Sequence, residues 1–110
     1  MNVAGNDRGS ERAALLIGIL IDAHAREDER DDAAMDLEFF SGAPVESALI
    51  DTIRTEKFSS VLAQKCAESL AGIWALEGRV NQDFFDELEG PAKDEVVGIL
   101  SARAPDLLPS

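Results

Sequence analysis

The single histidine of the chain lies close to two acids and is the first candidate for a chemical role. His24 precedes Glu27 and Asp28 by three and four residues, which would put an imidazole and two carboxylates on one side of a helix. Such a set resembles part of a metal site, but tight metal sites usually gather three or four ligands. We instead expect a hydrogen-bonded histidine on the first helix, near its end, where the helix dipole favours positive charge. We predict no bound metal and no other cofactor.

The only cysteine, Cys66, is a second candidate because a thiolate is a strong nucleophile. Catalysis would require a base beside it, and the only histidine lies in a different part of the chain. The neighbours Ala63, Ala67 and Leu70 indicate a small side chain buried in a core. One cysteine forms no intrachain disulfide, so we expect a cytoplasmic location.

Acidic side chains are too abundant to mark a catalytic pair. With 22 Asp and Glu in 110 residues, two acids that lie close in sequence carry no information about general acid–base catalysis. The acidic run 27–32 contains an arginine and lacks the central glycine of a calcium-binding loop, and the sequence has no glycine-rich phosphate loop. We therefore predict no catalytic residues and a protein that is not an enzyme.

The charge balance narrows the choice of partner. The chain has 10 Lys and Arg against its 22 acids, a net charge of −12, whereas nucleic acids and anionic membranes are bound through cationic side chains. The strongest apolar run, 13–21, is too short for a membrane-spanning helix. The apolar content of 45% is that of an ordinary globular domain. We expect no nucleic-acid partner, no membrane partner, and a monomer or weak homodimer.

Helical periodicity recurs along the whole chain, and no segment alternates as a half-buried strand does. The sequence therefore predicts an all-α protein of about six helices, over residues 10–26, 31–41, 44–57, 60–77, 81–89 and 91–104. The signals that begin these helices are N-caps at Ser10, Asp31 or Asp32, Ser59 or Ser60, and Asn81, and prolines at first helical positions, Pro44 and Pro91.

The predicted helices group into three antiparallel pairs, at about 10–41, 44–78 and 81–104. An apolar pair followed by aspartate recurs in the first helix of each pair, at 20–22, 49–51 and 84–86. A polar turn and a second helix follow each time. We expect 1–9 to be a flexible N-terminus, 10–105 a single helical domain and 106–110 a C-terminal tail.

The clearest unit of this repeat covers residues 44–78. Its first helix contains VESALID at 45–51, and its second contains VLAQKCAESLAGI at 61–73. This pattern, an apolar-faced helix followed by an Ala- and Leu-rich helix that ends near Gly-Ile, resembles a HEAT or HEAT-like repeat. The resemblance implies a short right-handed α-solenoid and a protein-binding function, and it names no catalytic residue. Three units are about the minimum for a stable stack, so a compact orthogonal helical bundle is the alternative.

Acids follow the first helix of each pair, where a stack of repeats would place its turns along one side. Asp22, Asp51 and Asp86 occupy equivalent positions in the three units. Such an edge would attract a basic protein and speed its encounter, whereas the plainer interpretation is a solvated surface that aids solubility. The residues predicted to bind the partner are Asp22, Glu27, Asp28, Asp51, Glu56, Asp83, Asp86, Glu87 and Trp74.

Two interpretations stay open for the apolar residues and for the function. Trp74 is either a core side chain or, beside acids near the end of the longest helix, an interface anchor. One concrete function is an immunity or inhibitor protein that masks a cationic toxin. The alternative is a self-associating structural or regulatory subunit that uses an apolar face such as Phe39-Phe40 or Phe84-Phe85.

Overall fold

Six α-helices connected by short turns make up the described part of the chain. The computed structural model describes residues 4–58 and 60–109, with side chains from residue 9 onward, and these residues contain no β-strand. The predicted all-α class is therefore confirmed. The α-helices are α1 Ala4–Ile21, α2 Glu27–Asp36, α3 Ala43–Glu56, α4 Val61–Glu77, α5 Gln82–Glu87 and α6 Gly90–Arg103. Two 3₁₀ turns, Leu37–Phe39 and Pro105–Leu107, follow α2 and α6.

Local capping signals decide where α4 and α5 begin. The Ser60 hydroxyl and the Asn81 side chain each accept a hydrogen bond from the backbone N–H three residues on, at 3.0 and 3.1 Å. Both are N-caps predicted from the sequence, and the alternative cap, Ser59, lies outside the described residues. α4 ends at Gly78, whose φ of 75° is a left-handed conformation that glycine adopts without strain.

The predicted boundary between the first two helices is wrong by about one helical turn. α1 ends at Ile21 instead of Arg26, and α2 begins at Glu27, before the predicted caps Asp31 and Asp32. The acidic run that breaks the apolar pattern is the start of α2, because negative side chains are favoured beside the unpaired N–H groups of a helix N-terminus. The turn is only the short segment between these two helices.

Helical structure extends further toward both ends of the chain than the sequence predicts. α1 begins at Ala4, so Ser10 is an interior helix residue, and part of the segment predicted as a flexible N-terminus is helical. At the other end a 3₁₀ turn follows α6, and the half-buried side chains of Leu107 and Leu108 pack against the core. Part of the predicted C-terminal tail is therefore packed against the fold.

Helix α4 is the centre of the core. It packs against α2, α3 and α6, while α1 packs against α2 and α3. The buried side chains of α4 include Cys66, Leu70 and Trp74, and its buried Ala67 and Ala71 let the neighbouring helices approach closely. No helix in the described part of the chain is both long and apolar enough to cross a membrane.

The buried polar groups of the core have hydrogen-bond partners. The Ser69 hydroxyl donates to the Ala34 carbonyl at 2.6 Å and so joins α4 to α2. The Trp74 indole N–H donates to the Glu46 carboxylate at 2.7 Å and joins α4 to α3. Among the described residues, every buried side-chain nitrogen or oxygen has a partner. The part of the core built from these residues therefore carries no unpaired polar group that would mark a ligand site.

Candidate protein-docking surface

The outer side of α2 carries a dense set of carboxylates. Six of its ten residues are acidic, and one, Arg30, is basic. Only Ala33 and Ala34 are buried, so α2 contacts the rest of the fold through a narrow alanine face. The acids are exposed apart from Asp31, which is half-buried. A short helix with a small contact face thus presents most of its charge to solvent.

The first turn of α2 is held by charges next to it. The Arg26 side chain donates two hydrogen bonds to the Asp28 carboxylate, at 3.1 and 2.9 Å, and the Arg26 backbone N–H donates to Glu29 at 3.3 Å. This hydrogen bonding lowers the pKa of Asp28 and raises the pKa of Arg26. Asp28, predicted to bind a partner, is therefore already paired within the chain.

Arg30 ties α1, α2 and α3 together beneath this surface. Its side chain is 13% exposed, its Nε donates to the Leu20 carbonyl at 2.8 Å, and its guanidinium lies 3.4 Å from the Glu56 carboxylate. The Leu20 carbonyl lies in the last turn of α1, where carbonyls lack an intrahelical partner, so Arg30 caps α1 from another helix. Glu27, Asp31 and Glu56 line a cleft of about 190 Å³ together with Arg30.

A second charged cluster joins α3 to α5. Arg54 donates to both carboxylate oxygens of Glu87, at 2.9 and 2.7 Å, and lies 4.0 Å from Asp51. Its guanidinium also stands over the Phe84 ring, 5.1 Å from the centroid. The hydrogen bonds lower the pKa of Glu87 and raise the pKa of Arg54. Asp51 and Glu87 thus share one arginine, which offsets part of the negative charge of the predicted acidic edge.

The other predicted acids lie in the turn after α1 and on α5. The Asp22 carboxylate accepts the His24 backbone N–H at 2.9 Å, and the Asp86 carboxylate accepts from the Gln82 amide at 3.0 Å. Asp83 lies in the first turn of α5. All three acids are exposed, and no ion pair involves them within the described residues.

Trp74 is a core residue, so its assignment to a partner surface is wrong. Its side chain is fully buried, and its indole N–H is used by Glu46 of α3. The continuous apolar face of α4 was the sequence signal that pointed to the core. Phe84 and Phe85 are buried as well, so this pair is not the exposed face that self-association would need.

The histidine and the cysteine lie in environments without a shared chemistry. His24 is exposed in the turn between α1 and α2, not on the apolar face of the first helix, because α1 ends before it. Cys66 is buried, as predicted, and burial raises the pKa of its thiol to about 12, which keeps it protonated at neutral pH. Across residues 4–58 and 60–109, no three His, Cys, Asp or Glu side chains are grouped to hold a metal ion.

The arginines of the chain decide which carboxylates are free. Four of the eight predicted acids are paired with arginine, namely Asp28, Asp51, Glu56 and Glu87. The acids of α2 without an ion pair in the described structure are Glu27, Glu29, Asp31, Asp32 and Asp36. The residue that sequence reasoning missed is Arg30, and its one signal was an arginine inside an otherwise acidic helix.

Comparison of the chain with protein-family models, with curated proteins and with solved structures gives no match. Its function is therefore inferred from its own residues.

Proposed function

We propose that the chain is a protein-binding module that docks a basic protein segment on α2. The observation that carries this proposal is that five of the six carboxylates of α2 have no ion pair within the described residues. An acid that is already paired must give up its arginine before it binds a partner. Glu27, Asp31, Asp32 and Asp36 lose only hydration, and Glu29 also accepts the Arg26 backbone N–H. A Lys- or Arg-rich segment along α2 therefore forms charged hydrogen bonds with few broken contacts.

The positions of the acids along α2 suit an extended basic segment. Asp28, Asp32 and Asp36 recur every four residues, so they lie along one side of the helix. At the start of the helix, Glu27 and Asp31 line the cleft of about 190 Å³ and offer a site for one lysine or arginine side chain. The helix thus combines a row of surface carboxylates with one recess at its end.

The net charge of the whole chain supports the same class of partner. A charge of −12 creates a field that steers cationic proteins toward the surface and raises their association rate. Salt screens this field, with a Debye length of about 10 Å at 0.1 M. Docking on α2 is therefore expected to weaken as salt is added.

A HEAT-like stack of helix pairs belongs to this proposal as its architecture. Its support is that α4 contacts both α2 and α6 and that α1 contacts α3, as corresponding helices of consecutive pairs do in a solenoid. The concrete function is that of a cytoplasmic immunity or inhibitor protein that masks a cationic toxin. Strong acidity suits such a role because complementary charge speeds capture of the toxin.

The test reverses two free charges on α2. The double substitution Asp32→Lys and Asp36→Lys changes the net charge from −12 to −8. Proteins captured by the immobilised chain at about 50 mM salt are identified and purified, and the association of each purified protein with the parent and the variant is measured. Docking on α2 predicts that association with the variant is weaker by about tenfold or more.

A matched control carries the same change of charge elsewhere. Asp94 and Asp106 are exposed on α6 and in the 3₁₀ turn after it, so Asp94→Lys with Asp106→Lys also gives −8. This control is expected to bind within about twofold of the parent. Docking on α2 is contradicted if both variants lose the same amount of affinity for the captured protein, or if added salt does not weaken the binding.

A further inference from the structure

Two clefts meet at the 3₁₀ turn that follows α2. The larger, of about 500 Å³, lies between residues 9–17 of α1 and the segment that leads into α3. The smaller, of about 310 Å³, lies between the 3₁₀ turn, the last turns of α4 and Arg103. Phe39 and Ser41 line both clefts. The two clefts therefore adjoin at these residues, and we call them together the Phe39 groove.

The Phe39 groove contains the most exposed large apolar side chains of the described residues. Phe39 and Leu76 are each 83% exposed, and both line the groove. The larger cleft is lined mainly by apolar side chains, Ile17, Phe40 and Val45 among them. Contact of apolar side chains with water is unfavourable, so the free energy falls when another surface covers them.

The lining of the groove formed by residues 9–58 and 60–109 has no net charge, although the chain carries −12. Among these residues no charged side chain lines the larger cleft, and the two that line the smaller cleft, Glu38 and Arg103, pair with each other at 3.2 Å. Gly72 makes this pair possible, because a Cβ there would lie 2.5 Å from the Glu38 carboxylate. The ion pair lines the smaller cleft and leaves its described lining without net charge.

We infer that the Phe39 groove binds a second copy of the chain in a two-fold symmetric dimer. Such an interface must be self-complementary, so one patch must supply both a projecting group and a recess. The groove supplies both, because Phe39 projects beside the larger cleft and, after a two-fold rotation, enters the cleft of the partner. Two copies that repel each other by their net charge meet best at a neutral surface, whereas a basic partner gains no charge pairing there.

Sedimentation equilibrium of the full chain tests this dimer. Phe39→Asp puts a charge where the ring is buried between copies, and it is expected to raise the dimer dissociation constant by about tenfold or more. Leu15→Asp is the matched control: Leu15 is an apolar residue that is 69% exposed on α1 and does not line the groove. It is expected to leave the constant within about twofold of the parent. Because both side chains are exposed in the single chain, thermal melts of both variants are expected to match the parent at a concentration where the parent is monomeric.

Cross-linking gives a second readout that does not depend on charge. Ser41 lines both clefts, so it lies within the interface of a dimer that forms across the Phe39 groove. Ser41→Cys is expected to form a disulfide between copies, with dissolved oxygen taking up the two electrons and two protons of the thiols. Ser101→Cys, on the exposed side of α6, is expected to stay reduced. The native Cys66 is buried and takes no part.

Salt separates this dimer from docking on α2. Added salt screens the repulsion between two negative copies and strengthens the dimer, whereas it weakens the binding of a basic protein. A chain that is monomeric at every concentration and salt overturns the inference. A dimer that survives Phe39→Asp, or one that Leu15→Asp breaks, overturns it as well. None of these results bears on the acids of α2.

Discussion

Arg30 holds the acidic helix α2 against α1 and α3, and its replacement measures how firmly that helix is held. Arg30→Met keeps the aliphatic stem but removes the hydrogen bond to the Leu20 carbonyl and the ion pair with Glu56. A hydrogen bond to a charged group contributes about 1.5–3 kcal/mol, and a partly exposed ion pair contributes less than about 1 kcal/mol. We expect the free energy of unfolding to fall by about 2–3 kcal/mol, or about 8–12 °C in melting temperature.

The assay is urea unfolding followed by far-ultraviolet circular dichroism, with two comparison variants. Arg26→Met changes the net charge by the same amount as Arg30→Met. Because Arg26 is exposed and its side chain pairs only with Asp28, the urea midpoint of Arg26→Met is expected to match that of the parent. Glu56→Gln removes the ion pair and keeps the hydrogen bond from Arg30 to the Leu20 carbonyl. Its free energy of unfolding is therefore expected to fall by less than half as much as that of Arg30→Met.

Two results would refute this reasoning about α2. If Arg30→Met unfolded at the same urea concentration as Arg26→Met, any loss of stability would come from the change in net charge and not from the contacts of Arg30. If Glu56→Gln were as destabilising as Arg30→Met, the ion pair and not the cap on α1 would be the source of the stabilisation.

Three further predictions concern other parts of the fold. Gly72→Ala is expected to lower the free energy of unfolding by about 1–2 kcal/mol because its Cβ displaces the Glu38 carboxylate. Gly98→Ala is expected to raise the free energy of unfolding by about 0.5–1 kcal/mol, because nothing lies within 4 Å of the added Cβ. Thermal melts of both variants check these two changes. Cys66 is expected not to react with a thiol reagent until urea unfolds the chain, since burial raises its pKa to about 12, and fast labelling of the native protein would contradict the buried position. Hydrogen bonding to Arg54 lowers the pKa of Glu87, so the Glu87 carboxylate stabilises the folded chain above the ordinary carboxyl pKa. This stabilisation is lost as the pH falls through the lowered pKa. Below about pH 4, the melting temperature is expected to fall more steeply for the parent than for Glu87→Gln.

Features that depend on neighbouring residues could be predicted from the sequence. Ser60 and Asn81 cap their helices because a short polar side chain next to a free N–H is a local arrangement. The burial of Cys66 follows from a continuous apolar face of one helix, whereas Trp74, on the same face, was assigned to the partner-binding residues and is buried. The start of α2 was not predictable in the same way, since its N-cap, Arg26, has none of the usual capping chemistry.

Features that depend on distant residues could not be predicted. Arg30 and Glu56 are 26 residues apart, and Glu38 and Arg103 are 65 residues apart. Which acids are free depends on such pairs, because each arginine can reach several of the 22 carboxylates and the fold selects among them. The composition therefore predicts an acidic protein, and only the packing of helices shows which carboxylates, among them five on α2, lack an ion pair in the described structure.

The position of α4 bears on how the molecule unfolds. In a long array each repeat touches only its neighbours, so the ends fray while the middle persists. Here there are only three predicted pairs, so α4 of the middle pair contacts helices of all of them, α2, α3 and α6. Separation of any pair exposes part of the same helix, so fraying of one pair propagates to the others. Amide hydrogen exchange in the four helices is therefore expected to report a single shared opening reaction, with one cooperative unit in place of three.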